Sequence, residues 1–308
     1  MPSYSAIIKK AYRLTLAFPS LWVFGLFAVG GFNLNFLHYE NIPLRKIKLS
    51  LQLLDLGMYF QQHPGALAGA SLLLLALTLG GLVLTNWSRI MLIFMGQSAI
   101  ESGRTEFVRQ AKKSLAPLWL VIKISLLTTG LMLLVAAVLF GPPWFLDIDP
   151  GLQALLWTIG GVIFVPLAFL ISCINILTVM YAVIYRLPLG KALNLGTDCF
   201  VSRWTQILGL VMLLAVLYCA SFALGVALIF AARLIFSQLF LASRLFNILP
   251  VSVIIGMLKL VSNVLLWVLL AGLSVFFNQA FLLLFLELNK PVQASPAIQP
   301  HVVPWPLT

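Results

Sequence analysis

The sequence predicts an all-α, polytopic membrane helical bundle with six transmembrane helices. Hydrophobic residues make up 62% of the 308 residues and charged residues only 9%, whereas a soluble domain carries about 25% charged residues. The apolar residues also form runs that are long enough to cross a hydrocarbon core about 30 Å thick. Lipid is therefore expected to face most of the surface, and one very large buried core is the minor alternative.

Six apolar runs are separated by polar or helix-breaking residues. The first is expected to remain as a signal-anchor helix, because no small-residue cleavage site follows it. Pro64-Gly65 precedes the second run, Gly141-Pro142-Pro143 ends the third, and Pro166 predicts a kink in the fourth. The predicted spans are residues 18–37, 66–100, 117–140, 152–185, 205–232 and 251–288.

The remaining segments are too polar to cross a bilayer or too short. Residues 38–63 are predicted to be an outer loop, and residues 233–250 an interfacial helix. Residues 1–290 are predicted to form a single transmembrane domain. Residues 291–308 are predicted to be a disordered cytoplasmic tail, since five prolines occur in the 19 residues from Lys290.

The positive charges indicate an orientation. With the N-terminus inside, the cytoplasmic segments hold 11 Lys and Arg and the outer segments hold five. This asymmetry satisfies the positive-inside rule, so both termini are expected on the cytoplasmic side. The net charge of +11 is explained by topology and by attraction to anionic headgroups, and nucleic acid is not an expected partner.

Three cytoplasmic stretches share an amphipathic pattern. In each stretch the basic residues lie outside an apolar helical face, and a tryptophan lies near the start of the next span. The stretches are residues 5–18, 105–115 and 189–200. The pattern predicts an interfacial helix followed by a helical hairpin, repeated at about residues 3–100, 103–186 and 188–288. The alternative is that linkers between spans tend to be basic and amphipathic. The basic residues predicted to bind anionic lipid here are Lys9, Lys10, Arg13, Arg109, Lys112 and Lys113.

The opening segment AIIKKAYRLTLAFPSLWVFGLF (residues 6–27), with the threefold helix-then-hairpin plan, resembles the membrane domain of glycerophosphoryl diester phosphodiesterases and related six-helix bacterial inner-membrane proteins. The resemblance covers most of residues 3–290 and implies a location in the bacterial inner membrane. In that family the phosphodiesterase chemistry belongs to a separate soluble barrel. The 18 residues after Lys290 are not expected to supply such a barrel, so no catalytic residue carries over.

Three cations lie within predicted spans, where charge is costly and often functional. Lys259 is expected near the outer interface, where snorkelling costs little. Arg89 and Lys123 are therefore predicted to bind anionic groups. The amides predicted to line a polar inner cavity with them are Asn86, Gln97, Asn175 and Asn278. The alternative is that both cations snorkel to the interface and that the amides join helices. No Asp or Glu lies well inside a span, which disfavours a proton- or cation-coupled transporter.

Signatures of enzymes and metal sites are missing from the sequence. It has no nucleophile elbow and no phosphate-binding loop, and its three histidines and three cysteines lack metal-ligand spacing. Asp147 and Asp149 are more typical of a turn or a helix N-cap than of a catalytic pair. We therefore expect no cofactor, no metal and no enzymatic activity.

The favoured function is a non-enzymatic membrane protein that organises anionic lipid or partner proteins at the cytoplasmic face. The alternative is a transporter or lipid translocase whose path is lined by Arg89, Lys123, Asn175 and Asn278. A threefold repeat fits the usual twofold symmetry of transporters poorly. Membrane phospholipids, with anionic headgroups preferred, are the expected partners, and a protein partner or a homo-oligomer is left open.

Overall fold

The computed structural model describes residues 3–28, 64–145, 149–245 and 250–289. Within these ranges, residues 228–245 and 250–263 are described by their backbone alone. Every regular element in these ranges is a helix. The helices are α1 (Tyr4–Ala17), α2 (Ser20–Ala28), α3 (Pro64–Ser102), α4 (Phe107–Leu115), α5 (Leu118–Phe140), α6 (Pro142–Phe145), α7 (Pro150–Ile184), α8 (Leu189–Ser202), α9 (Trp204–Leu245) and α10 (Pro250–Leu288).

Five helices in the described ranges are long and apolar enough to cross a membrane: α3, α5, α7, α9 and α10. A sixth span is present if the bent pair α1–α2 counts as one. The predicted all-α, polytopic membrane architecture is therefore confirmed. The threefold repeat stays a prediction.

Several predicted boundaries are matched closely. α5 ends at Phe140 and α7 begins at Pro150, as the breakers between them require. α9 continues as a helix to Leu245, so it includes residues 233–245 of the segment predicted to be an interfacial helix. No glycine or proline lies between Gly225 and Pro250, so the sequence supplies no helix breaker there. The placement of residues 233–245 at the interface stays a prediction. Residues 29–37 of the first predicted span, the predicted loop 38–63 and the predicted tail 291–308 lie outside the described residues.

Asp149 caps the start of α7, as the turn interpretation of the sequence predicted. Its carboxylate accepts a hydrogen bond from the Gly151 backbone N–H at 2.9 Å, and Pro150 occupies the first helical position. This satisfies one of the donors that a helix N-terminus leaves unpaired, and proline is favoured there because it has no N–H to lose. Asp149 is thus explained by helix capping; Asp147 lies outside the described residues.

The chain divides into two compact units. The first unit comprises Met1–Phe18, Ile90–Ala215 and Phe276–Thr308, and the second comprises Pro19–Arg89 and Val216–Val275. In the first unit, α5 packs along α7, and α7 packs against α8. Its core draws on five helices and includes the fully buried residues Met91, Leu92, Met95, Ile124, Met180, Ile207, Leu210, Leu282 and Phe285.

In the second unit, α2 packs closely against α10. A Cβ at Gly25 would collide with the Ala271 backbone carbonyl, so only glycine allows this approach. The Phe24 ring meets Trp87 of α3 edge-on, with centroids 5.7 Å apart. Small-residue contacts of this kind are typical of helices that pack within a membrane.

Candidate functional site

α1 carries a basic face opposite a buried face. It begins at Tyr4, where the Ser3 side chain accepts a hydrogen bond from the Ala6 N–H. The exposed face presents Lys9, Lys10 and Arg13, and the buried face, at helical spacing, is formed by Ile7, Ala11 and Leu14. The Tyr4 hydroxyl donates to the Gln206 carbonyl at 3.2 Å, which fastens α1 to the start of α9. The predicted amphipathic helix is therefore present.

α4 is amphipathic in a different way, because only a narrow polar seam is buried. The seam consists of Gln110 and Ser114. The basic residues Arg109, Lys112 and Lys113 are exposed on one side, and the apolar residues Phe107, Val108 and Leu115 are 49%, 67% and 61% exposed. Lys112 and Lys113 lie in the last turn, where a positive charge interacts favourably with the helix dipole. Two surfaces of opposite character are thus exposed on one short helix.

One of the α4 charges has a partner on the protein. Arg109 Nη1 lies 3.1 Å from Glu106 Oε2, and both side chains are more than half exposed. An exposed pair of this kind contributes little to stability, because water and salt screen it. Lys112 and Lys113 are therefore the stronger candidates on α4 for holding an external anion.

α8 is the least basic of the three amphipathic helices. Lys191 and Asn194 are exposed, but so is Asp198, which offsets the positive charge. Its buried face consists of small residues, namely Ala192, Gly196 and Cys199. α8 begins after Pro188 and ends at Ser202, before Arg203 interrupts the helix. This helix thus offers a weaker electrostatic surface than α1 or α4.

The two span cations that are predicted to bind anionic groups lie in different surroundings. Lys123 is exposed on α5, and its Nζ lies 5.5 Å from the ring centroid of Trp119, which is itself 64% exposed. A cation over a tryptophan on the outer surface of a span fits the snorkelling interpretation. Arg89 belongs to the second unit and is half-buried on α3.

The four predicted cavity amides are distributed over three helices. Asn86 is buried and donates to the Leu82 carbonyl at 2.8 Å, and Gln97 donates to Glu101 Oε1 at 2.8 Å, both within α3. On α7, Asn175 Oδ1 accepts from Thr128 of α5 at 3.2 Å. Asn278 is half-buried on α10. The amide of Asn175 thus joins two helices, as the alternative interpretation of these amides expects, and a common cavity for all four stays a prediction.

A polar cluster that the sequence did not single out joins three elements of the first unit. The Tyr181 hydroxyl of α7 donates to Asn289 Oδ1 at 2.8 Å, just beyond the end of α10. Arg203, in the break between α8 and α9, donates to the Leu288 carbonyl. The Phe285 ring lies edge-on to the Tyr181 ring, with centroids 4.8 Å apart. In the sequence, the signal for this cluster is Arg203, which lies between two helical runs. Its hydrogen-bond partner lies 85 residues away, so the sequence does not reveal the pairing.

Cys199 lies beside this cluster. Its thiol lies close enough to Tyr181 and to the Arg203 cation for both to act on its pKa. Burial nevertheless raises the pKa of the Cys199 thiol above its ordinary value of 9.0, because desolvation disfavours the thiolate. The thiol therefore stays protonated at neutral pH, which disfavours it as a nucleophile. Among the described residues, no group of His, Cys, Asp and Glu could hold a metal ion.

The chain matches no protein-family model, no curated protein and no solved structure. The resemblance to the membrane domain of glycerophosphoryl diester phosphodiesterases accordingly stays a prediction.

Proposed function

We propose that the protein is a non-enzymatic integral membrane protein of the bacterial cytoplasmic membrane that organises anionic phospholipids at the cytoplasmic face. The observation that carries the proposal is the surface of α4. Its basic residues and its large apolar residues are exposed on either side of a buried seam. A helix lying in the headgroup layer needs both surfaces, one for lipid phosphates and one for the upper acyl chains.

The neighbouring residues support the same placement. Trp119 is exposed and lies in the first turn of α5, shortly after α4. Tryptophan prefers the level of the lipid headgroups. α1 adds the exposed charges Lys9, Lys10 and Arg13. The Tyr4–Gln206 hydrogen bond ties α1 to the start of α9, which directly follows α8. Basic residues on α1 and α4 would concentrate anionic lipid around the protein if both helices lie at the same leaflet.

The test is a measurement of lipid retention by native mass spectrometry. The full chain is reconstituted in phosphatidylethanolamine–phosphatidylglycerol membranes and released into detergent with its bound lipids. For Lys112→Gln/Lys113→Gln we expect a lower ratio of retained phosphatidylglycerol to phosphatidylethanolamine. A basic residue near an anionic surface contributes about 1 kcal/mol, which corresponds to roughly fivefold for each lysine.

The matched control removes the same charge elsewhere. Lys46→Gln/Lys48→Gln lies in the segment that the sequence assigns to the outer side. This variant should keep its share of phosphatidylglycerol within about twofold. Equal losses in both variants would show that net charge, and not α4, governs retention. No change in the α4 variant would reject the proposal in favour of a protein partner for this face.

A further inference from the structure

The fully buried face of α8 against α7 consists of small residues. The three buried residues of this 14-residue helix are Ala192, Gly196 and Cys199. A Cβ at Gly196 would lie 2.6 Å from Thr178 Oγ1 and 3.0 Å from the Thr178 backbone nitrogen, so the two helices approach as only glycine permits. Hydrophobic stabilisation scales with the apolar area removed from water, and small side chains bury little of it. Three larger apolar residues of α8 are only half-buried, namely Leu189, Leu193 and Phe200.

Hydrogen bonds to the end of α10 hold both α7 and the residue that follows α8. We refer to Tyr181, Arg203 and Asn289 together as the latch. Tyr181 donates to Asn289 Oδ1 at 2.8 Å, and Asn289 Nδ2 donates to the Phe285 carbonyl at 2.9 Å. Arg203 donates to the Leu288 carbonyl, one of the carbonyls that a helix end leaves unpaired. The latch thus ties α7 and the α8–α9 break to the end of α10.

The other end of α8 has the features of a hinge. The turn from α7 into α8 comprises residues 186–188. Arg186 has φ of 54°, which is the left-handed region that a non-glycine residue adopts at a cost. Its side chain is exposed. The backbone of a short, exposed turn in an unfavourable conformation can change conformation with little loss of packing.

We propose that α8 is a strap that lifts off α7 by bending at residues 186–188 and at Arg203, and that Tyr181, Arg203 and Asn289 are the latch that keeps it closed. With the strap closed, Cys199 is buried against Tyr181. With the strap open, the Cys199 thiol is accessible. The last 19 residues continue from Asn289, so the same latch links the position of α8 to the point where the C-terminal segment begins. The proposal does not depend on lipid binding by α4.

The test uses the alkylation of Cys199 in the full-length protein. Tyr181→Phe and Asn289→Ala each remove one partner of the same hydrogen bond from a different helix. N-ethylmaleimide labelling, resolved by peptide mass spectrometry, should be about tenfold faster at Cys199 in both variants. Tenfold is the change in an opening equilibrium that about 1.4 kcal/mol produces. Arg203→Gln should have a similar effect, and Arg203→Lys a smaller one.

Two controls separate opening of the strap from general loosening. Cys173 is also buried on α7, but it does not lie on α8, so its labelling rate should not change. Tyr185→Phe removes a hydroxyl one turn along α7, from a ring that stacks on Tyr181, and should leave Cys199 slow. The proposal is overturned if Cys199 stays slow in both latch variants, or if Cys173 accelerates in parallel. Either result is independent of the lipid measurement on Lys112 and Lys113.

Discussion

Gly103 ends α3 with a backbone conformation that suits glycine. Its φ is 67°, and its N–H donates to the Ala99 carbonyl at 3.2 Å, which satisfies one carbonyl of the last turn. A Cβ at this position would meet nothing within 4 Å, so the backbone conformation alone decides the effect of a substitution. Gly103→Ala should lower the free energy of unfolding by about 1–2 kcal/mol, the cost of the left-handed region for an L-residue. Steric trapping in bicelles measures this quantity.

A second glycine supplies a control of opposite sign. Gly130 lies inside α5, and a Cβ there would also meet nothing within 4 Å. Gly130→Ala should raise the free energy of unfolding by about 0.5–1 kcal/mol, because alanine loses less conformational entropy in a helix. Equal effects at the two positions would contradict the assignment of a backbone cost to Gly103.

The end of α7 shows the same conformation without glycine. Arg186 has φ of 54° and is the second residue after α7, whereas Gly103 is the first residue after α3. An arginine there retains the backbone cost that glycine avoids. The difference between these two helix ends supports bending at residues 186–188.

At the scale of elements, α3 and α10 are joined in the first unit by one amide. Gln279 is fully buried and donates to the Leu92 carbonyl at 3.1 Å. Its Oε1 has no hydrogen-bond partner among the described residues. A Cβ at Gly96 would collide with this carboxamide, so the absence of a side chain at residue 96 creates the space that Gln279 occupies.

The predicted consequence is a strong coupling between the two positions. Gly96→Ala should destabilise the protein by about 1–3 kcal/mol, as overpacking of a well-packed core does. In a Gln279→Ala background the same change should cost less, with a coupling energy of about 1 kcal/mol or more. Gly161→Ala, where a Cβ would meet nothing within 4 Å, is the control. Additive effects of Gly96→Ala and Gln279→Ala would contradict the contact.

The sequence predicts the elements far better than the pairings between them. Hydropathy and breakers locate α3, α5, α7 and α10 because those signals are local. The charged face of α1 is likewise readable from its spacing. The Tyr181–Asn289 bond joins residues 108 apart, and no local pattern encodes which of several polar residues will meet.

At the scale of the whole molecule, helix length and charge act together. α3 and α10 each have 39 residues, about 57 Å at 1.5 Å per residue, which exceeds a hydrocarbon core of about 30 Å. Such helices must tilt or continue beyond the hydrocarbon. Along α3 the change is abrupt: Leu72–Leu75 are exposed, whereas Ile90–Leu92 are fully buried. The apolar surface for lipid and the packed core of the first unit thus occupy different stretches of one helix.

The bent pair α1–α2 decides the topology. If the pair crosses the membrane, the described residues contain six spans, and an even number places both ends on the same side. If it does not, they contain five, and an odd number places the ends on opposite sides. The excess of Lys and Arg in alternate segments favours six spans with both ends in the cytoplasm, because positive charge is retained on that side.

Sided labelling of single cysteines tests this prediction. With the three native cysteines replaced, a membrane-impermeant maleimide is added either to spheroplasts or to inside-out vesicles. Ser3→Cys and Arg104→Cys should react only in the inside-out vesicles, and Lys46→Cys only in the spheroplasts. If Ser3→Cys and Lys46→Cys react from the same side, α1–α2 does not cross. In that case α1 and α4 lie on opposite sides of the membrane whenever α3 crosses, and their basic faces cannot contact the same leaflet.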